Sequence, residues 1–327
     1  MTASQIETLP DGREVQRLTL RGGGLSATVL TLGAIVQDLR LDGIDYPLVL
    51  GAPDAASYLG PARYFGAIVG RLANRIGNAR FTLDGRDYQT DPNFRDRHTL
   101  HGGSDGVDVH IWQIEARTPS SVTLSLSLPD GHMGFPGTIT MTTRIALEDG
   151  ALNFVLGATA DAPTPCSLTH HGYFNLDGSD DVRNHTVHID AEHMLPTTDD
   201  LIPTGEVAPV AGTRFDFRQP RPLGPEPCDR CFCLSDGPRP QRPVAWITGE
   251  SGLALRVETT ACGLQFYNGA YLRDVPGLDG RIYGPQAGLA LEAQAWPDAP
   301  NQPNFPDTIL RPGEAWSETT RYVFTRP

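Results

Sequence analysis

Apolar and polar residues alternate with a period of two along much of the chain. Leu124, Leu126 and Leu128 are separated by Ser125 and Ser127. Ile139, Met141 and Ile145 are interleaved with Thr and Arg, and Leu253, Leu255 and Val257 alternate with Ala254, Arg256 and Glu258. Successive side chains of a strand point to opposite faces, so this pattern predicts half-buried antiparallel strands. Turn-forming residues punctuate them at Asp84-Gly85, Pro129-Asp130-Gly131, Asp149-Gly150, Glu250-Ser251-Gly252 and Asp279-Gly280. Helical periodicity is scarce, and the stretch from Ala55 to Ala73 has room for a helical turn or two. The Pro-rich region from Gln219 to Pro243 reads as a long loop with strand-like pieces on both sides. The predicted fold is all-β, a large sandwich of antiparallel sheets. No linker divides the chain and no short-period repeat occurs, which argues for one domain over residues 1–327 and against a propeller or solenoid.

Composition narrows the choice of partner. With 35 glycines and 28 prolines the chain is rich in turns, and 327 residues suffice for a large core that needs no disulfide. The formal charge is -13, from 26 basic and 39 acidic side chains. Nucleic acids and anionic membranes select for basic patches, so both are excluded as expected partners, whereas a small neutral ligand is not. No apolar run reaches membrane-spanning length, and the first residues lack the basic-then-apolar pattern of a signal peptide. Five cysteines, an odd number, fit reduced thiols and a cytoplasmic location better than a disulfide framework.

Candidate chemistry concentrates in five groups of residues. The run Leu291-Glu292-Ala293-Gln294-Ala295-Trp296 places one carboxylate among small and apolar residues and breaks at once into Pro-rich loop. An acid so flanked is costly to bury unless paired, and burial raises its pKa towards the range of a general base. In Thr169-His170-His171-Gly172-Tyr173-Phe174, two adjacent histidines on a strand point to opposite faces, so at most one serves a given site and a shared metal is disfavoured. The segment Asn74-Arg75-Ile76-Gly77, followed by Leu100-His101-Gly102-Gly103, combines a donor fork, an amide and a histidine before a tight turn. In Gly263-Leu264-Gln265-Phe266-Tyr267, Gln265 suits hydrogen bonding to a hydroxylated ligand. Cys228-Asp229-Arg230-Cys231-Phe232-Cys233 lacks the second CxxC pair of a structural zinc site, and Asp229 is its more interesting member. Dinucleotide, phosphate-loop, HExxH and GxSxG motifs are absent.

Together these segments resemble the aldose 1-epimerase (galactose mutarotase) family. The resemblance rests on GRLANRIGNARFTLDG, LHGG with Trp112 beyond it, GFPG, THHGYFNL, Asp229, GLQFY and LEAQAWPDAPNQPNFP, in the family's order and over most of the chain. It implies a large antiparallel β-sandwich and interconversion of the α and β anomers of a neutral aldose, without metal or cofactor. It implies Glu292 as catalytic base, His171 as general acid, and His101 beside the sugar ring oxygen. Arg75, Asn74, Asp229 and Gln265 become the contacts to sugar hydroxyls. The chain departs from the family pattern at His170, where asparagine is usual, at Gly172, where threonine is common, and at Arg230. The implied partner is a monosaccharide, and the assembly a monomer or homodimer. The competing readings are a non-catalytic carbohydrate-binding or regulatory module, which would lack the acid–base set, and an epimerase of phosphorylated hexoses, which would need a basic cluster by the pocket.

Overall fold

Two Asp-Gly pairs close tight hairpins. At Asp84-Gly85 (φ 50° and 78°) and Asp149-Gly150 (φ 52° and 71°) both residues are left-handed, as in the two-residue turns whose twist matches that of the flanking strands. The second pair joins Ile139–Glu148 to Ala151–Ala160 in continuous antiparallel register. The structure, a computed structural model, describes residues 5–326.

The largest sheet has nine strands in the order Gln113–Arg117, Ser121–Leu128, Ile139–Glu148, Ala151–Ala160, Trp316–Thr325, Ala254–Thr259, Arg242–Thr248, Thr186–Ile189 and Arg221–Pro222. A six-stranded sheet runs Tyr173–Phe174, Leu289–Gln294, Gly263–Tyr267, Asp229–Cys233, His193–Met194 and Ala208–Pro209. A four-stranded sheet over Gln5–Leu41 completes the large layers. The alternating segments lie where the pattern predicts: in Ala254–Thr259 the buried residues are Leu255, Val257 and Thr259.

One apolar cluster lies between the sheets. It joins Ile139, Met141, Ile145, Phe154, Leu255 and Val257 of the nine-stranded sheet to Phe232, Leu264, Phe266, Leu289 and Leu291 of the six-stranded sheet. Tyr322 crosses this interface and donates its hydroxyl to the Leu291 carbonyl at 2.9 Å. With the odd-numbered leucines of Leu289–Gln294 committed to the core, Ala290 and Glu292 face the other way. The same alternation turns Gln265 and Tyr267, and Asp229, to that second face.

One expectation changes and another holds. The region Gln219 to Pro243 is not only loop: Asp229–Cys233 is a strand paired on both sides, with Gly263–Tyr267 and His193–Met194. Its five residues are too few to show a period, and its identity comes from its neighbours. Between Ala55 and Ala73 the helical content is a single 3-10 turn, Ala56–Leu59. No α-helix occurs among the described residues, and none is long and apolar enough to cross a membrane.

Candidate active site

Strand register brings the first group of polar side chains together. Glu292 lies opposite Gln265, and Asp229 opposite Tyr267. Gln265 thus stands between Glu292 on one neighbouring strand and Asp229 diagonally placed on the other. Its Nε2 donates to Asp229 Oδ1.

His171 enters from a separate segment. Its N–H donates to the Ala67 carbonyl (2.8 Å) and its own carbonyl accepts from Gly66 N–H (3.0 Å). This anchorage sets His171 Nε2 3.5 Å from Glu292 Oε1. His170 turns to the opposite side, into the core between the sheets, where its ring stacks on Phe154 at 4.2 Å. A β-carbon at Gly172 would lie 2.3 Å from His170 Cε1. His170 and Gly172 are therefore a single packing arrangement, in which the ring occupies the space a larger residue at 172 would need.

A third segment supplies the clasp around His101. Asn74 (φ 64°) and His101 (φ 50°) both adopt left-handed backbone. His101 N–H donates to the Asn74 carbonyl at 2.9 Å, and Asn74 N–H donates to His101 Nδ1 at 3.1 Å. Because Nδ1 accepts, the neutral ring carries its proton on Nε2. Asn74 Oδ1 accepts from the Arg75 backbone N–H at 2.9 Å, and Arg75 Nη2 pairs with Asp229 Oδ2 at 3.2 Å. The guanidinium also covers the Phe94 ring at 4.8 Å. Gly102 is required here: at φ 85° a β-carbon would sit 2.1 Å from the Gly70 carbonyl oxygen. Gly102→Ala is expected to destabilise the fold by about 2 kcal/mol or more, since left-handed strain alone costs about 1–2 kcal/mol. Equilibrium unfolding in denaturant checks this, and a wild-type midpoint would show that the close approach is dispensable.

These groups line a cavity of about 380 Å³ that holds Asn74, Arg75, His101, His171, Asp229, Gln265 and Glu292. The chain matches a family model described as Aldose 1-epimerase over residues 16–323. It is 38% identical to the galactose mutarotase of Rattus norvegicus, over 99% of this chain and 98% of that relative. It is 38% identical to the aldose 1-epimerase of Escherichia coli K12, over 96% of each. The chain belongs to the aldose 1-epimerase family. Its fold matches a GalM/aldose epimerase homologue from C. elegans with a TM-score of 0.89 at 29% identity, covering 99% of both chains. A galactose 1-epimerase from Lactobacillus acidophilus superposes with a TM-score of 0.86 at 26% identity, covering 99% and 98%.

Burial dominates the electrostatics of this family member's pocket. It holds the Glu292 carboxyl well above the usual range, with Asp229 adding to the rise and Arg75 opposing it. It lowers His171 to about 4, the approach of Arg75 assisting while a backbone hydrogen bond and Asp229 act against it. His101 is held well below the ordinary imidazole value by burial and by His171, Arg75 and Arg63. Glu292 Oε2 and His171 Nδ1 are buried without a hydrogen-bond partner, so both retain capacity for a ligand. His101, His171 and Glu292 also offer one ligand atom each within 4.8 Å of one another, close enough to share a metal ion. Among the described residues, no cysteine belongs to such a group.

The cavity has an aromatic lining that sequence reasoning missed. Tyr64, Phe94, Tyr173, Tyr267 and Tyr271 form much of its wall. Tyr267 was within reach of the alternation, two residues after Gln265 on the same strand face. Tyr64, with φ 72°, and Phe94 lie outside regular strands, where no period marks them.

Proposed function

We propose that Glu292 and His171 carry out the family's anomeric interconversion as a coupled acid–base pair. The observation that carries this reading is their 3.5 Å contact in a buried pocket. Glu292 takes the proton from the anomeric hydroxyl and His171 delivers one to the ring oxygen. The C1–O5 bond breaks and an aldehyde forms at C1. Rotation about C1–C2 presents the other carbonyl face, and the ring closes with the roles reversed. Ring opening turns the charged pair, carboxylate and imidazolium, into a neutral one. Burial favours the neutral form on both sides, raising Glu292 and lowering His171, so the pocket draws the pair towards the neutral form that ring opening leaves, and the charged pair must be formed before the step begins. His101, with its proton on Nε2, donates to the ring oxygen and steadies it.

Arg75, Asn74, Asp229 and Gln265 hold the sugar hydroxyls. Asp229 accepts from both Arg75 and Gln265, so its position is fixed before a ligand arrives. The two arginines that line the cavity, Arg75 and Arg95, are each paired with an aspartate, which favours a neutral sugar over a phosphorylated one. All 26 basic side chains are arginine. No lysine amine can therefore trap the open-chain aldehyde as an imine. In this reading residues 1–327 work as one domain, as a monomer or homodimer, without metal or cofactor. Five free cysteines support a reducing, cytoplasmic setting.

Polarimetry of freshly dissolved α-D-glucose, α-D-galactose, D-xylose and L-arabinose tests the activity and ranks the substrates. Asp229→Ala is expected to raise KM roughly tenfold or more with a smaller change in kcat, because a charged hydrogen-bond partner is worth about 1.5–3 kcal/mol. It should also reorder the aldoses, since Asp229 contacts hydroxyls remote from C1. Unchanged KM for every sugar would make Asp229 purely structural.

A further inference from the structure

A second group of ligating side chains lies outside the catalytic pocket. Asp105 and His110 flank the short turn Val107–Val109, and His132 opens the turn His132–Gly134. Both imidazoles bring Nε2 to Asp105: His132 hydrogen-bonds Oδ2 at 3.0 Å, and His110 lies 3.2 Å from Oδ1 while hydrogen-bonding the Asp105 backbone carbonyl at 3.3 Å. The two rings meet edge to face, 5.5 Å between centroids at 66°. One ligand atom from each residue lies within 4.8 Å of the other two.

We propose that Asp105, His110 and His132 bind a divalent transition-metal ion of the zinc class. A tetrahedral zinc with bonds of about 2.0–2.1 Å spaces its ligand atoms roughly 3.3–3.5 Å apart. The observed nitrogen–oxygen separations, 3.2 Å and 3.0 Å to the two oxygens of one carboxylate, are a few tenths of an ångström shorter, so the three side chains need only open slightly to admit the ion. Two imidazoles and a carboxylate select zinc and its neighbours over calcium or magnesium, which prefer all-oxygen sites. The fourth position falls to water.

The surroundings favour a site that is formed before the ion arrives. Arg63 donates from Nε to Asp108 Oδ2 (2.9 Å) and from Nη2 to the Ser104 carbonyl (2.9 Å), and Ser104 N–H donates to Asp91 Oδ2 (2.6 Å). The loop carrying Asp105 is thus held on both sides. His132 and His110 are largely buried, at 13% and 25% side-chain exposure, while Asp105, at 52%, leaves a path from solvent. Among the described residues no arginine pairs with Asp105. An ion here would tie the loop that follows His101 to the turn after Ser121–Leu128, as a brace and not as a reagent.

The test is calorimetric titration of Zn²⁺ into protein stripped with chelator and dialysed. Wild type is expected to take up one equivalent at this site. His110→Ala and His132→Ala should each weaken it by about a hundredfold or more, beyond the 10–100-fold typical of losing a residue that merely supports a ligand. Glu292→Gln should retain it. Cobalt substitution should give the visible absorption of a tetrahedral site, lost in His132→Ala. Excess zinc should raise the unfolding midpoint of wild type by about 2 °C or more, and not that of His110→Ala. Wild-type mutarotation by His110→Ala confirms that this variant is folded. Absence of binding would overturn the proposal and leave Asp105 as an acceptor for two imidazole N–H groups. Binding that survives both histidine substitutions, or that disappears in Glu292→Gln because the ion sits on His101, His171 and Glu292, would overturn it equally.

Discussion

Glu292→Gln is expected to lower kcat for mutarotation by at least about a hundredfold, the usual scale for a positioned proton-transfer group. The substitution keeps shape and hydrogen-bonding capacity while removing the base. Its effect should fall on kcat, because the carboxylate acts on the proton that moves in the transition state. The fold should tolerate it well. Glu292 is 2% exposed, with Oε2 lacking a partner, and burial already holds the group towards its protonated form. A neutral amide of the same size therefore removes a buried ionisable group without opening a cavity. Polarimetry under saturating sugar, with an unfolding curve on the same preparation, separates the two effects. Mutarotation near the wild-type rate would sink the assignment.

The adjacent histidines should separate as sharply. His171→Ala is expected to lose about a hundredfold or more in kcat, whereas His170→Ala should stay within a few fold. The cost of His170→Ala belongs to stability. Emptying the space of a large buried ring costs about 3–5 kcal/mol. Removing two buried nitrogens without partners returns about 1–3 kcal/mol. The net loss is then about 2 kcal/mol, visible in denaturant unfolding. A pH dependence follows as well. Burial, with the approach of His171, lowers His170 to about 3 in the folded protein, against an ordinary 6.5. Between these values the unfolded chain binds the proton and the folded chain does not, so stability falls as pH falls from 6.5. His170→Ala lacks that loss, and the gap between variant and wild type should narrow on acidification. Equal kinetic losses for the two variants, or the reverse order, would contradict the placement.

Much of the fold was legible because its signals are local. Alternation and Asp-Gly turns need only a few consecutive residues, and Ile139–Glu148, Asp149-Gly150 and Ala151–Ala160 form one long hairpin as the pattern requires. Glu292 and His171 were legible as unusual residues in unusual company. What could not be read was their separation, which depends on pairings across more than a hundred positions. The strand Asp229–Cys233 escaped for the same reason. The prolines on either side of it point to loop, and only the neighbouring strands make it a strand. The reciprocal clasp of Asn74 and His101 was also hidden, because left-handed backbone at two non-glycine residues has no signature in a single sequence. Tyr64 and Phe94 share that obscurity.

The position of Trp316–Thr325 has a consequence for assembly. It lies between Ala151–Ala160 and Ala254–Thr259, near the middle of the nine-stranded sheet. The latest described strand in the chain is thus an interior one. Until it is synthesised and docked, Ala151–Ala160 and Ala254–Thr259 present open edges, and Tyr322 is not there to hold the strand that carries Glu292. Such pairings close long loops before they gain anything from contact, which slows folding and prolongs exposure of unpaired backbone. The hairpins need only neighbouring segments, but the two halves of the nine-stranded sheet pair across Trp316–Thr325, and removing that strand would split the sheet at its centre instead of shortening it at a rim.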